Sequence, residues 1–181
     1  IKSSRYVSFP GLDEKLSADY HGWTRQAFVE GNYRVLQGAW NWQPFVQFAR
    51  VNSQTDGFSE RTAKSALQGR AASSTVNLAT GGLRFKVDLN RTSTGPFGVS
   101  LNGSAAYTRA SGDLNPTTNV AWQDASNMRI AGAPLSKTAL QLNLGAVARL
   151  NRSSSVSLDL KNQRGERSNG RSVSIQYQFE F

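Results

Sequence analysis

The 181-residue chain has no cysteine, a single histidine and a single methionine. Without cysteine there is neither a disulfide framework nor a thiolate metal site. One histidine, His21, cannot build a multi-histidine metal centre, so no metal and no cofactor are expected. No phosphate loop and no Gly-x-Gly-x-x-Gly stretch occurs. No hydrophobic run approaches the ~20 residues of a membrane-spanning helix. That last absence says nothing against strands, which cross a bilayer in about 9–11 residues and give half of them to a polar side. The formal charge is +9, yet the basic residues are scattered singly, and the densest group, Arg164, Arg167 and Arg171, flanks a glycine turn. A nucleic-acid surface usually clusters its cations or carries a recognisable module, so no nucleic-acid partner is expected.

What the chain does have is alternation. In 171–181, Val173, Ile175, Tyr177, Phe179 and Phe181 take every second position, with Ser172, Ser174, Gln176, Gln178 and Glu180 between them. Successive side chains of a strand point to opposite faces, so this stretch has one apolar and one polar face. It suits the terminal strand of a closed barrel in lipid, paired there with the first strand. The same pattern recurs upstream. Leu140, Leu142, Leu144, Ala146, Ala148 and Leu150 oppose Ala139, Gln141, Asn143, Gly145, Val147 and Arg149, and Val156, Leu158 and Leu160 oppose Ser157, Asp159 and Lys161. Leu83, Phe85, Val87 and Leu89 oppose Arg84, Lys86 and Asp88, whereas Val76 and Leu78 have the other parity. A bulge at Gly81-Gly82 is expected to flip the faces there.

Further strands are expected at 4–9, at 16–35, at 40–51 behind Trp40 and Trp42, and at 97–108. Pro44 should interrupt pairing locally. Residues 54–71 read as a long loop with strand extensions, although ERTAKSALQGRAA is the one window a helix could claim, and 110–136 lacks clear alternation. That makes about eight strands, an all-β, transmembrane, antiparallel up-and-down barrel over 1–181. The connections at 36–39, 90–96 and 151–154 are short, and those at 54–72 and 111–136 are long. Barrels of the outer membrane have short periplasmic turns and longer extracellular loops. Trp40 and Trp42 then stand at a strand end, where the membrane interface selects aromatic residues.

Several pieces resemble the translocator β-domain of bacterial autotransporters, the type V secretion proteins. Gln26, Glu30, Gly31 and Tyr33 form a Gln-x-x-x-Glu and Gly-x-Tyr pair, and Pro44-Phe45 opens the next strand. Gly57-Phe58-Ser59-Glu60 with Ala66-Leu67, then Thr80-Gly81-Gly82-Leu83-Arg84, and Ile130-Ala131-Gly132-Ala133-Pro134 with Leu135 and Ala139-Leu140, follow in the family's order. The resemblance covers nearly the whole chain. It departs at Ala106-Tyr107-Thr108, where the family often has Trp-x-His. It implies a barrel of about twelve strands, so about four N-terminal strands and a linker are expected to lie outside this chain, which shows no signal peptide and begins at Ile1.

The resemblance further implies an anchor in the outer membrane of a Gram-negative bacterium that moves its own passenger segment to the cell surface. The implied partners are outer-membrane lipid and lipopolysaccharide, the barrel-assembly machinery, and the chain's own passenger and linker. The assembly signal would be the terminal strand, Val173, Ile175, Tyr177, Phe179 and Phe181. Glu30, Arg34, Arg84, Lys86, Arg149, Asp159 and Lys161 are expected on the polar, lumen-lining side. The alternative is a self-contained eight-stranded barrel acting through its loops as a surface binding or anchoring module. An outer-membrane hydrolase built on His21 lacks a nucleophile motif, so no catalytic residue is assigned and the chain is not expected to be an enzyme.

Overall fold

A computed structural model describes residues 1–60, 65–89, 97–122 and 127–180. Its regular structure is all strand: β1 (Lys2–Phe9), β2 (Leu12–Asp19), β3 (Gly22–Asn32), β4 (Val35–Gln37), β5 (Trp40–Thr55), β6 (Phe58–Ser59), β7 (Leu67–Gly69), β8 (Ala72–Asp88), β9 (Gly98–Gly112), β10 (Thr117–Trp122), β11 (Met128–Ala131), β12 (Thr138–Arg149), β13 (Ser154–Gly165) and β14 (Asn169–Phe179). Two compact units divide the chain. One contains Ile1–Ala27, Arg50–Asn77 and Ser111–Leu135; the other contains Phe28–Ala49, Leu78–Ala110 and Ser136–Phe181.

The second unit carries most of a large sheet ordered β14-β13-β12-β9-β8-β5-β3, with β4 also paired to β5. Its registers turn the alternation of single strands into rows that run across the sheet. Gly103, Leu144, Leu160 and Val173 are cross-strand neighbours, and so are Leu101, Ala146, Leu158 and Ile175. Between them lie the polar rows Ser104–Asn143–Lys161–Ser172 and Asn102–Gly145–Asp159–Ser174. Because paired residues share a face, four strands agree on which side is apolar. The leucines of that side are not covered: Leu144 is 52% exposed and Ile175 75%. A contiguous apolar face of this kind is unstable against water and suits lipid. The turn after β12 is closed by Leu150 N–H on the Ser154 carbonyl and by the Asn151 side chain, which accepts from Ser153 N–H at 2.8 Å.

The first unit differs from expectation. Residues 4–9 are not a barrel strand beside the terminal one; they lie in β1, which pairs along its whole length with β2, from Lys2–Asp19 to Phe9–Leu12. Leu16 and Ala18 of that hairpin are buried. The stretch 16–35 is likewise not one strand. Tyr20 N–H still donates to Ile1, whereas the His21 carbonyl already accepts from Asp56, so the chain changes partner between these two residues. The strand extensions expected within 54–71 are present as the end of β5 and as β6 and β7, which pair with each other, and 110–136, without clear alternation in sequence, supplies β10 and β11, so that β7 continues through β10 to β11 in a four-stranded sheet. Residues 61–64 of the window that a helix could claim lie outside the described residues, and Leu67–Gly69 within it is strand.

Two further expectations meet a definite outcome. Pro44 does interrupt pairing, but on the partner. It accepts from Tyr33 N–H at 3.1 Å and has no N–H to return, and regular strand is absent at 33–34, between β3 and β4. The bulge at Gly81-Gly82 is absent. Thr80 faces Thr108 on one side of the glycine pair, and Leu89 N–H reaches Val99 on the other, in one unbroken register. The large sheet has eight members only because β4 counts separately; among the described residues it is open, with β14 and β3 at its two ends. The connection 90–96 lies outside the described residues.

Candidate functional site: the polar face of the large sheet

Three adjacent strands build the most ordered part of the polar face. Arg84 on β8 forms a two-pronged ion pair with Glu30 on β3, Nη1 to Oε1 at 2.7 Å and Nη2 to Oε2 at 2.8 Å. The guanidinium lies over the Phe45 ring of the intervening β5, 3.8 Å from its centroid. The ring abuts Gly82, where a Cβ would fall 2.7 Å from a ring carbon and 2.6 Å from the Ala105 carbonyl. The glycine is thus required by close approach, and the fork geometry of arginine lets one side chain stack and pair at once. Gln43 extends the face by donating to Asn32 at 2.8 Å, and Asn32 donates to Glu30.

The other expected polar residues are dispersed. Lys86 pairs with Asp88 at 3.4 Å, both exposed, an arrangement worth little energetically. Asp159 and Lys161 sit in neighbouring polar rows of β13. Asp159 and Asn102 close in on Gly145 from both sides, each within 3 Å of where its Cβ would be. Arg149 ends β12 opposite Ser155 and Gly98, and Arg34 lies exposed in the gap after β3. Phe45 was not among the expected site residues. The parity of Trp40, Trp42, Val46 and Phe48 against Asn41, Gln43, Phe45 and Gln47 places it with the polar set, which is legible once Pro44 is not taken as a break in β5.

On the apolar face, Trp40 and Trp42 stack at 5.1 Å with their planes 5° apart, and both contact Phe85. Val173, Ile175, Tyr177 and Phe179 are exposed along β14, whose described partner is β13. Phe181 lies outside the described residues. His21 lies exposed between β2 and β3.

The first unit holds a separate polar knot. Arg5 donates from Nε and Nη2 to the two oxygens of Glu60 and also to the Ser65 carbonyl, while Glu60 accepts from Leu67 N–H. Glu14 accepts from the Ser65 hydroxyl and N–H. The hydrogen bond from Arg5 holds the Glu60 carboxyl below the usual carboxylate range, against the opposing effect of burial and with help from Leu67 N–H. The same bond raises the Arg5 guanidinium.

A family model described as the autotransporter beta-domain matches residues 1–161. No curated protein matches the chain. The match covers the hairpin, the small sheet and the large sheet through most of β13. With its two-faced antiparallel sheet, the chain belongs to the autotransporter β-domain family, the outer-membrane β-barrel translocators of Gram-negative bacteria.

Proposed function

We propose that this chain forms a continuous part of the wall of a translocation barrel, with its apolar rows toward lipid and its polar rows toward a hydrated lumen that passes its own passenger. The observation that carries this is the agreement of four strands, β9, β12, β13 and β14, on one sorted face. Unpaired backbone groups are expensive in a bilayer, so the ends of the sheet at β3 and β14 call for further strands between them, in a barrel wide enough for an extended segment. Asp159, Lys161, Arg149 and Arg34, with the Arg84–Glu30–Phe45 stack, would line that lumen as a wetted wall with few apolar holds. The end position of β14 suits strand addition by the barrel-assembly machinery before closure. No step of bond chemistry is assigned, in keeping with a family that is generally non-enzymatic.

An epitope placed ahead of residue 1 in the full-length protein tests the reading. In intact cells it should be accessible to antibody and to added protease, while the β-domain stays protected and runs as a heat-modifiable band. A folded, membrane-inserted β-domain whose epitope remains inside the cell would overturn the translocation reading.

A further inference from the structure

The backbone of β3 shows which segment its open edge is built to hold. Within a strand, the N–H and C=O of one residue point to one side and those of the next residue to the other. His21, at the entry to β3, accepts from Asp56 N–H, and Tyr33, just past its end, donates to the Pro44 carbonyl. The odd-numbered residues of this stretch therefore face β5. Gly22, Thr24, Gln26, Phe28, Glu30 and Asn32 turn their backbone groups the other way, to the edge where the large sheet stops. Tyr20 has the same parity, and Ile1 takes both of its groups. Tyr20 N–H donates to the Ile1 carbonyl at 3.0 Å, and the Ile1 nitrogen donates to the Tyr20 carbonyl at 2.6 Å. The β1–β2 ladder thus lies on the side that β3 leaves open. It also brings Ile1 against the start of β3, with Cδ1 3.7 Å from where a Gly22 Cβ would stand.

We infer that the open edge of β3 is the docking site of this chain's own residues directly ahead of Ile1, laid antiparallel on β3 in the register that β1 and β2 set. The inference deepens the barrel reading above and rests on it, since an unpaired edge is costly where lipid replaces water. Continuing the pairs Lys2–Asp19 and Ile1–Tyr20 puts the residue four places ahead of Ile1 opposite Thr24, and the residue six places ahead opposite Gln26. β1 is then the continuation of a wall strand, and β2 with β3 is the returning arm of the same hairpin. Direction excludes the other open edge of the sheet as the occupant. The path β14-β13-β12-β9-β8-β5-β3 has seven strands that alternate in direction, so β14 and β3 run the same way. β14 cannot close antiparallel on β3, whether it comes from the same chain or from a second copy inserted in the same orientation. An odd number of strands must stand between them, and the segment ahead of Ile1 supplies the one that adjoins β3.

The test uses the full-length protein inserted in outer membranes, with Gln26 replaced by the photo-cross-linking residue p-benzoylphenylalanine and the product located by mass spectrometry. The main product is expected on the residues four to eight places ahead of Ile1, centred on the one opposite position 26. In protein otherwise free of cysteine, Gln26→Cys with a cysteine six places ahead of Ile1 should oxidise to a disulfide, because directly opposed Cα atoms stand about 5.5 Å apart, inside bridging range. Moving the upstream cysteine four residues further along should reduce that bridge at least about tenfold, since a rise of about 3.4 Å per residue takes it out of reach. A photo-cross-link from position 26 to β14, to another protein, or to residues far ahead of Ile1 would overturn the inference, as would equal bridging at the two upstream positions. The photo-cross-link needs a single substitution, so it decides the question where the cysteine pair does not fold. Failure of the wild-type full-length protein to give a heat-modifiable, membrane-inserted band would instead remove the barrel reading beneath it.

Discussion

The Gly82–Phe45 contact gives a prediction whose size follows from the geometry. A methyl at position 82 would lie 2.6 Å from a backbone carbonyl and 2.7 Å from the Phe45 ring, well inside ordinary contact. The ring is not free to move aside, because the Arg84 guanidinium lies over it at 3.8 Å and is itself fixed by Glu30. Gly82→Ala therefore strains the stack by about 1–3 kcal/mol, against the roughly 0.5–1 kcal/mol that alanine normally gains over glycine inside a strand. A net loss of about 1–2 kcal/mol is expected. Phe45→Ala alone should cost about 2–4 kcal/mol, as it empties a buried site. In the double variant the methyl occupies space that the ring has left, so the two penalties should fall short of additivity by about 1–2 kcal/mol. Urea titrations in detergent, following loss of the heat-modifiable band, measure all four corners of the cycle. A neutral Gly82→Ala, or penalties that add within about 0.5 kcal/mol, would refute the packing account.

Other consequences are equally direct. Ile175→Arg puts a charge on the apolar face of β14 and should cost about 2–4 kcal/mol of stability in the bilayer, whereas Ser174→Arg on the polar face should cost little; urea midpoints in lipid vesicles compare them. Arg5→Ala leaves the buried Glu60 carboxylate without its main partner and should loosen the β1–β2 hairpin by about 1–3 kcal/mol, seen as faster proteolysis within 1–27. The Glu60 carboxyl is depressed on folding, so its contribution is present above the unfolded carboxylate range and lost as pH falls through its folded value. Acid should therefore accelerate that same proteolysis, and Glu60→Gln should remove much of the pH dependence.

The two-faced character of the large sheet was legible because each position in a strand reports its own side. Leu140, Leu142 and Leu144 against Gln141 and Asn143 need no knowledge of their neighbours. Partner choice is different, because it depends on residues far away in sequence. Nothing local at Tyr20 and His21 signals that one strand stops pairing with 1–9 and the next begins pairing with β5. Ladders as short as Phe58–Ser59 on Gln68–Gly69 carry no period at all, so the small sheet formed from 58–59, 67–69, 117–122 and 128–131 left no readable pattern. Gly81-Gly82 resembles a bulge because glycine in a strand has two uses, and only the position of the Phe45 ring shows that close approach is the one at work. The Arg84–Glu30 pair was visible as two polar-face charges, but their meeting across β5 was not.

The central claim is the direction of the two faces, and the absence of cysteine from these 181 residues lets single cysteines report it directly. Single cysteines at Leu158, Asp159, Leu160 and Lys161, in full-length protein in outer membranes, can be challenged with a charged, water-soluble maleimide and with a lipid-borne quencher. Period-two labelling is expected, with 159 and 161 reached from water and 158 and 160 from lipid. Aqueous labelling of 158 and 160 with 159 and 161 protected would contradict the account, because the apolar rows would then not face the bilayer.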